Sequence, residues 1–304
     1  MSAIPRIPVP CGRFAPTPSG PLHLGSLLAA VGSYLSAKQA SGRWLLRIED
    51  LDRHRSISGA AEQIPRILEA FGFEWDGKIE FQNDRIPYYE QALARLEAAG
   101  LCYACRCSRS QLAAQPLEPG DELIYPGTCR EDPDARHGPH ALRFRTGGLP
   151  AEVEFEDRLQ GLVSEDCRRK AGDFVIRRRD GFFAYHLAVV VDDELQGVTE
   201  VVRGCDLLSC TPRQILLQRA IGYRTPAYAH LPLLLEADGR KLAKSRHAVP
   251  LDSDRAAPAL WQALAWLRQK PPVELAQATV RDIWAWALPN WRPEPLMGCR
   301  ELRL

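Results

Sequence analysis

A proline-rich turn near the N-terminus constrains the fold of this chain more than any other sequence feature. Three prolines and a glycine fall within residues 16–21, and neither a helix nor a central strand tolerates that composition. A short, partly apolar strand is predicted before the turn, at 12–17, and a helix rich in leucine and alanine after it, at 26–40. A buried strand, Arg43–Ile48, follows. Strand, turn, helix and strand in this order predict the opening of a parallel α/β sheet.

The rest of the chain alternates helical and strand patterns without an internal repeat. Pro87 is a favoured first-turn residue for a helix that stops at Gly100, and Thr211-Pro212 is a good start for a helix that ends before Gly222. The other predicted elements are a helix at 58–71, small strands within 141–180, buried strands at Ala184–Val191 and Val198–Val202, and two short helices within 255–304. A chain of 304 residues with these elements predicts two domains, or one large domain with an insertion.

Charge and hydropathy narrow the classes of function. Basic residues number 39 and acidic residues 38, so a nucleic-acid partner would meet a local patch or a fitted shape. The densest basic runs, Arg168–Lys170 and Arg177–Arg179, are interleaved with acidic residues and favour solvated faces. No apolar run approaches the ~20 residues that span a bilayer, and three prolines within Met1–Pro10 argue against a secretory signal. We expect a cytoplasmic protein with no membrane partner, acting as a monomer.

Two separated segments have the composition of a nucleotide site. His23 and Gly25 lie where the turn meets the predicted helix, and free amides and the helix dipole favour a phosphate there. His23 can donate to a phosphate oxygen, and Gly25 lets an adenine or a ribose approach the backbone. Lys241 and Lys244 stand three residues apart in a predicted polar loop, followed by Ser245. Taken alone, this second segment is typical of a solvated basic loop.

Together, the two segments resemble the paired signature sequences of the class I aminoacyl-tRNA synthetases. His-Leu-Gly-Ser from His23 and Lys-Leu-Ala-Lys-Ser from Lys241 are similar to the usual His-Ile-Gly-His and Lys-Met-Ser-Lys-Ser. Three longer strings narrow the resemblance to the glutamyl/glutaminyl branch: Arg-Phe-Ala-Pro-Thr-Pro-Ser-Gly-Pro-Leu-His from Arg13, Leu-Arg-Ile-Glu-Asp-Leu-Asp, and Tyr-His-Leu-Ala-Val-Val-Val-Asp-Asp from Tyr185. The resemblance covers about residues 11–250.

The resemblance implies an α/β fold with a Rossmann-like parallel sheet. The expected molecule is a class I synthetase catalytic domain with a zinc-bearing insertion and a small helical C-terminal region. The implied bounds are 11–100 for the first half of the catalytic domain, 101–183 for the insertion with its zinc-binding subdomain, 184–250 for the second half with the Lys-Leu-Ala-Lys-Ser loop, and 251–304 for the C-terminal region.

The sequence departs from that branch in length. Only 59 residues, 246–304, follow the second signature, where a glutamyl-tRNA synthetase carries a long helical anticodon-binding region. In this respect the chain resembles a shorter family, the glutamyl-Q tRNA(Asp) synthetases. The resemblance implies ATP-dependent activation of L-glutamate without tRNA, with Mg²⁺ on the phosphates, and transfer of glutamate to the queuosine base in the anticodon of tRNA(Asp). Two alternatives stay open: a truncated enzyme that charges the 3′ end of tRNA(Glu), and a non-catalytic tRNA-binding paralogue.

The resemblance also implies roles for individual residues. The implied catalytic residues are His23 and Lys244, which act on phosphate charge as it develops. The implied ATP-binding residues are His23, Gly25, Lys241, Lys244 and Ser245. The implied glutamate-binding residues are Arg13, Phe14, Ala15, Pro16, Thr17, Glu49, Tyr185 and Arg203. The charges of these residues agree with this role. The guanidinium groups of Arg13 and Arg203 suit the two carboxylates of glutamate, and the carboxylate of Glu49 suits its ammonium group. Without the resemblance, a helix-capping Glu49 and a buried ion pair for Arg203 are the simpler interpretations.

Four of the nine cysteines crowd into residues 102–129, which favours a metal site over a disulfide framework in an intracellular chain. Cys105, Cys107 and Cys129 with one more donor would suit one structural Zn²⁺ in tetrahedral geometry. The resemblance to the glutamyl-Q family implies Tyr125 as the fourth ligand.

Other ligand sets remain open from the residues alone. Cys102 competes for the site, because Cys102 and Cys105 have the more familiar spacing for a zinc ligand pair. His137 and His140 are alternatives to the tyrosine. The interpretation without a metal is a set of reduced, buried thiols.

Overall fold

Alternating strands and helices make up the described part of the chain, residues 9–113, 124–235 and 250–303 of this computed structural model. The strands there are β1 (Cys11–Phe14), β2 (Arg43–Ile48), β3 (Glu80–Phe81), β4 (Cys102–Cys105), β5 (Ala141–Phe144), β6 (Glu152–Asp157), β7 (Gly161–Asp166), β8 (Phe174–Arg177), β9 (Glu200–Gly204), β10 (Ala227–Leu231), β11 (Leu233–Leu235) and β12 (Glu301–Arg303). The helices are α1 (Leu24–Gln39), α2 (Ala60–Ala70), α3 (Ile86–Ala98), α4 (Arg109–Ala113), α5 (Cys167–Lys170), α6 (Tyr185–Leu195), α7 (Thr211–Ile221), α8 (Ala256–Trp266) and α9 (Val280–Asn290). None of these helices is long and apolar enough to cross a membrane.

Parallel strands form the centre of the fold, as the opening of the sequence predicts. β1, β2 and β3 pair in parallel in that order. A second sheet has the order β7-β6-β10-β9, in which β10 is parallel to β6 and β9, and β7 pairs antiparallel with β6. The starts of β1 and β9 meet where the Thr199 amide donates to the Cys11 carbonyl, N to O 2.9 Å. The carboxyl ends of β1, β2 and β9 therefore face the same side, where open α/β sheets usually bind ligands.

Helix α1 packs between the sheets and the C-terminal helices. It contacts β1, β2, β9 and β10 as well as α8 and α9. At Gly32, an added Cβ would lie 2.5 Å from Leu231 of β10, so the helix approaches the sheet more closely than an alanine would permit. On the other side, Trp284 of α9 packs against Tyr34 of α1 at 4.8 Å between ring centroids. Of the tail tryptophans, Trp284 and Trp291 therefore belong to the core, and Trp261, Trp266 and Trp286 pack against it as partly buried side chains.

The stretch between α3 and α6 forms small antiparallel units. β4, β5 and β8 pair antiparallel in the order β4-β5-β8. Their apolar side chains join α3, α6 and α7 in a second hydrophobic cluster. β6 and β7 form an antiparallel pair whose strand β6 contacts β10. This stretch therefore contributes one separate sheet and also extends the central one.

The prediction of a buried strand at Ala184–Val191 is wrong, because helix α6 (Tyr185–Leu195) occupies that stretch. Seven consecutive residues of the helix are buried, so it shows no amphipathic period and resembles a strand in sequence. The acidic residues that follow the apolar run belong to the same helix. Arg85 Nε donates to Asp192 at 2.6 Å, and the Tyr89 hydroxyl contacts both Asp192 oxygens. This segment is therefore a helix because of its tertiary contacts, and its local sequence pattern does not show it.

Candidate active site

A cluster of charged side chains lies at the carboxyl ends of β1 and β2. Arg13 is 4% exposed, and its Nε donates to Asp193 Oδ1 at 3.3 Å. Arg47 is fully buried, and its Nη2 donates to the same oxygen at 2.8 Å and to Glu49 Oε1 at 3.3 Å. The Glu49 amide donates to the Pro16 carbonyl at 3.0 Å. Asp193 thus bridges two guanidinium groups, while the proline-rich turn holds Glu49 beside them.

Burial and neighbouring charges shift the pKa values of Glu49 and Asp193 in opposite directions. Burial raises the pKa of the Glu49 carboxyl, and Arg47 and Arg13 only partly offset that effect. Burial acts in the same direction on Asp193, but Arg13 and Arg47 outweigh it and keep the pKa of Asp193 below its ordinary value. Asp193 is therefore an ionised partner of the arginines, and Glu49 has the most to gain from a cation that binds next to it.

Arg203 of β9 is a buried guanidinium held by neutral groups. Its Nε donates to His230 Nε2 at 3.0 Å, and its Nη1 donates to Tyr185 Oη at 3.2 Å. Its Nη2 donates to the Leu207 carbonyl, Thr211 Oγ1 and Gln214 Oε1, at 3.3, 2.8 and 2.9 Å. In the described part of the chain, no carboxylate lies within the 4.0 Å of an ion pair with this guanidinium. Because buried charges are normally paired, Arg203 is suited to an anionic ligand.

The predicted glutamate-binding residues fall into two groups. The side chains of one group lie close together, and the residues of the other group belong to β1 and the turn that follows it. The converging ones are Arg13, Glu49, Tyr185 and Arg203. Burial raises the pKa of the Tyr185 phenol, and the charges of the other three all act on it. Phe14 instead turns its ring into the core and stacks on Trp44, with centroids 6.2 Å apart. The other three, Ala15, Pro16 and Thr17, are half-buried in the turn that follows β1.

His23 caps the N-terminus of α1. Its Nδ1 accepts from the Ser26 amide at 3.3 Å, so Nε2 is the nitrogen left to donate to a phosphate. Burial lowers the pKa of the imidazole, and Asp206 opposes this effect. A Cβ at Gly25 would lie 3.0 Å from His23 Cε1, so the glycine also makes room for the ring. The arrangement places an imidazole donor at a helix end that favours anions.

Three of the predicted ATP-binding residues lie outside the described residues: Lys241, Lys244 and Ser245. The described residues that flank them are Leu235 and Pro250. Pro250 forms an isolated antiparallel bridge with His23. Pro250, which follows the second signature in sequence, therefore lies beside the first.

A cavity of about 910 Å³ extends from Glu49 and Tyr185 towards the antiparallel unit of β4, β5 and β8. Among its lining residues, four are arginines and three are aromatic: Arg55, Arg143, Arg178, Arg179, Phe182, Phe183 and Tyr185. Arg178 bridges Asp52 and Asp180, at 3.1 and 2.6 Å. Arg178 and Arg179 of the basic run thus contribute to this cavity, where aromatic faces and guanidinium groups suit a base and its polar substituents.

The cysteine cluster has the geometry of a tetrahedral metal centre. The Sγ atoms of Cys105, Cys107 and Cys129 lie within 4.8 Å of one another. Cys107 Sγ and Cys129 Sγ are 3.5 Å apart, and Tyr125 Oη is 3.3 Å from Cys105 Sγ and 3.6 Å from Cys107 Sγ. Zinc–ligand bonds of ~2.0–2.3 Å at tetrahedral angles require edges of roughly 3.5–3.8 Å between donors. These residues therefore fit a Zn²⁺ ion with three sulfurs and one phenolic oxygen.

The members of the cluster differ in protonation: burial raises the pKa of the Cys107 thiol and of the Tyr125 phenol, whereas the pKa of Cys129 shifts the other way. Burial opposes ionisation of Cys129, but hydrogen bonds with Tyr125 and the Arg106 amide outweigh it and lower the pKa of the thiol to about 7. Arg143 lies over the Tyr125 ring, with Cζ 3.7 Å from the centroid. A thiolate is the form of cysteine that binds metal, and a nearby cation stabilises negative charge on its ligands.

The competing ligands lie elsewhere in the described structure. Cys102 is not among the grouped cysteines, and burial raises the pKa of its thiol to about 11. His137 Nδ1 lies 3.3 Å from Asp134, and His140 Nδ1 lies 2.8 Å from the Gly138 carbonyl. Neither imidazole joins the cluster.

Sequence reasoning missed several residues that shape this site. Arg47, Asp193 and His230 are buried charged or titratable groups in apolar segments. An arginine between Leu46 and Ile48 in a predicted buried strand is itself a signal, because a buried guanidinium needs partners. His230, flanked by apolar residues, gives the same signal.

The chain matches known proteins over most of its length. The family model for the catalytic domain of class I tRNA synthetases (E and Q) matches residues 11–256. A protein named glutamyl-Q tRNA(Asp) synthetase from Pseudomonas aeruginosa (strain LESB58) is 50% identical over 291 residues, covering 96% of each chain. A protein of the same name from Dechloromonas aromatica (strain RCB) is 51% identical over 282 residues, covering 92% of this chain and 93% of that protein.

Two solved structures share the fold. A glutamate tRNA ligase from Elizabethkingia meningosepticum, in complex with its amino acid, has a TM-score of 0.65 at 26% identity, covering 82% of this chain and 52% of that one. The glutamate-tRNA synthetase from Elizabethkingia anophelis has a TM-score of 0.77 at 21% identity, covering 97% of this chain and 68% of that one.

Proposed function

Since this chain belongs to the glutamyl-Q tRNA(Asp) synthetase family within the class I tRNA synthetases, we propose that it activates L-glutamate with ATP and transfers the glutamate to the queuosine base in the anticodon of tRNA(Asp). The buried Arg203, held by neutral acceptors and free of a carboxylate partner among the described residues, carries the assignment of an acidic amino-acid substrate. Tyr185 fixes one edge of that guanidinium.

The charges of the site match the three charged groups of glutamate. Arg203 binds one carboxylate, and Arg13, already paired with Asp193, lies beside the second. Glu49 binds the ammonium, which would offset the effect of burial on its carboxyl. Four side chains and the Leu207 carbonyl hold Arg203 through five hydrogen bonds, so the pocket is preorganised and activation requires no RNA.

In the first step, the α-carboxylate of glutamate attacks the α-phosphate of ATP, and pyrophosphate leaves. His23 at the start of α1 and Lys244 stabilise the phosphates as their charge develops, and no protein nucleophile is needed. Gly25 supports this role by leaving room for the imidazole. Mg²⁺, when bound to the triphosphate, neutralises part of its charge.

In the second step, a hydroxyl of the queuosine cyclopentene-diol attacks the activated carbonyl, and AMP leaves. The cavity beside Glu49 and Tyr185 would receive the modified base. Its arginines and aromatic rings offer donors and stacking faces to an unstacked anticodon nucleotide. We propose a cytoplasmic reaction, because ATP and tRNA are its proposed substrates.

We expect glutamate-dependent ATP–pyrophosphate exchange with no RNA present, followed by transfer of labelled glutamate only to tRNA(Asp) that carries queuosine. The two substrates of the transfer assay are tRNA(Asp) with and without queuosine, otherwise identical. The product should keep a free 3′ end, which periodate oxidation detects.

Two outcomes would contradict this function. Label on the 3′-terminal adenosine of tRNA(Glu) would identify an enzyme that charges the 3′ end. Absence of exchange in folded protein, with and without tRNA, would identify a tRNA-binding paralogue without catalysis.

We also propose one structural Zn²⁺ held by Cys105, Cys107, Tyr125 and Cys129. The donor distances support this set, and all four positions of the tetrahedron would be filled by protein. The ion, when bound, would tie β4 to the segment around Cys129. The site therefore stabilises the fold and leaves no position for substrate.

Cys107→Ser should remove most of the zinc from the purified protein and lower Tm, because it deletes one of four ligands. Elemental analysis should give one zinc per wild-type chain, and pyrophosphate exchange should change less than Tm does. Cys102→Ser is the matched control, since Cys102 lies outside the group. A metal-free wild-type protein, or zinc lost from the Cys102 variant alone, would refute this ligand set; Tyr125→Phe tests the fourth ligand by a fall in zinc affinity.

A further inference from the structure

Three buried side chains form a row across neighbouring strands of the second sheet. Asp157 ends β6, His230 lies on β10 beside it, and Arg203 lies on β9 in register with His230. His230 Nδ1 is 2.5 Å from Asp157 Oδ2, and Arg203 Nε donates to His230 Nε2 at 3.0 Å. Exposure is 1% for Asp157, none for His230 and 5% for Arg203.

These contacts define the tautomer of the histidine. Arg203 Nε always carries a proton, so His230 Nε2 can only accept from it. The proton of the ring must then be on Nδ1, where the Asp157 carboxylate accepts it. Burial lowers the pKa of His230, with Asp157 opposing, and hydrogen bonds to His230 help keep the pKa of Asp157 low despite burial. The ring is thus neutral next to the guanidinium.

The other oxygen of Asp157 anchors the carboxylate to the backbone. Asp157 Oδ1 accepts from the amides of Leu159, Gln160 and His230, at 3.0, 2.9 and 3.1 Å. The two oxygens therefore have separate tasks, because Oδ1 holds the turn after β6 and Oδ2 faces only the imidazole among the contacts described.

We propose that Asp157 and His230 are positioning residues for glutamate selection: Asp157 holds His230 in the Nδ1–H tautomer, and His230 aims the guanidinium of Arg203 at the substrate carboxylate without neutralising its charge. The inference rests on the proposed function. A carboxylate in the place of His230 would pair with Arg203 directly and compete with the substrate. A neutral imidazole supplies direction and leaves the positive charge for the ligand.

Asp157→Asn tests this with a nearly isosteric change. An asparagine oxygen can keep the three backbone contacts of Oδ1, while its amide nitrogen replaces Oδ2. The amide would donate to Nδ1 and drive the ring proton to Nε2, so that two donors face each other at the Arg203 contact. We expect KM for glutamate to rise about 10–100-fold, with kcat and KM for ATP within about threefold of wild type, and the preference for glutamate over glutamine to fall.

The matched control is Asp173→Asn, another fully buried aspartate, which accepts from Tyr103, Thr146 and Arg130 away from Arg203. It should cost stability and leave KM for glutamate unchanged. His230→Gln, which can retain an acceptor towards Arg203, should be milder than His230→Leu. These measurements distinguish a positioning role from a loss of stability. If Asp157 were merely structural, Asp157→Asn and Asp173→Asn would change KM for glutamate to the same extent.

The tautomer itself is measurable without catalysis. Long-range ¹H–¹⁵N correlation spectra of wild-type protein should show His230 as the Nδ1–H form, and Asp157→Asn should show the Nε2–H form. An Nε2–H ring in wild type, or a glutamate KM in Asp157→Asn equal to that of Asp173→Asn, would overturn the proposal. If wild type lacks exchange, the proposed function fails while the spectra still decide the tautomer.

Discussion

Arg203→Lys should lower kcat/KM for glutamate by about 100-fold or more. The guanidinium makes five hydrogen bonds through three nitrogens, and one ammonium cannot reach the same acceptors. Lysine would leave His230 Nε2 or Gln214 Oε1 buried without a donor, and its single ammonium could not hold these acceptors and a substrate carboxylate together. A loss of about 3 kcal/mol corresponds to this fall. Pyrophosphate exchange at varied glutamate measures it.

Arg85→Lys is the control for replacing a buried arginine. Arg85 is 7% exposed and pairs with Asp192 at 2.6 Å, and none of its contacts in the described part of the chain is with Arg13, Glu49, Tyr185 or Arg203. It should lower Tm without a large change in kcat/KM. In Arg203→Lys, glutamine should also lose less activity than glutamate does, since glutamine has no second carboxylate. A folded Arg203→Lys enzyme with kcat/KM within fivefold of wild type would exclude Arg203 as the carboxylate ligand.

Lys244→Ala should abolish most adenylate formation while leaving glutamate binding nearly unchanged. Lys244 is expected to contact the phosphates mainly in the transition state, and such charge-assisted contacts are worth roughly 3 kcal/mol or more, about 100-fold in rate. The expectation comes from the second signature sequence, and Pro250, which follows that sequence in the chain, bridges His23 of the first signature. Exchange rates and glutamate titration calorimetry separate the two effects.

Lys78→Ala is the matched control for the loss of a lysine. Its side chain is 82% exposed and, in the described part of the chain, pairs with Glu80 at 3.3 Å, so exchange should stay at the wild-type rate. Wild-type exchange in Lys244→Ala would remove Lys244 from the catalytic residues. Weak glutamate binding in the same variant would instead place the lysine at the amino acid.

Local patterns in the sequence predicted much of the framework. The strand Arg43–Ile48 and a helix from Thr211 that ends before Gly222 are confirmed, and the strand predicted at 12–17 is observed slightly earlier, as β1. These predictions succeeded because prolines, glycines and capping residues act on their own neighbours. The family was also readable from sequence, because its signature strings are long and specific.

The residues of the site could be predicted from the sequence only in part, because tertiary structure brings them together. Arg13, Glu49, Tyr185 and Arg203 were proposed from the family resemblance, and their convergence depends on how β1, β2, β9 and α6 meet. Asp193, which pairs with Arg13 across 180 positions of sequence, follows the strand predicted at Ala184–Val191 and lies within helix α6 in the structure. No local pattern indicates such a pair.

What the sequence by itself determined is therefore the parallel α/β opening, the cysteine-rich segment and the family. Only the tertiary structure decided that 185–195 is a helix, because burial on all sides removes the amphipathic period that would reveal it. Only the register of β6, β10 and β9 placed Asp157, His230 and Arg203 in one row. Strand register is a long-range property, set when distant segments pair, and it decides which buried charges find partners.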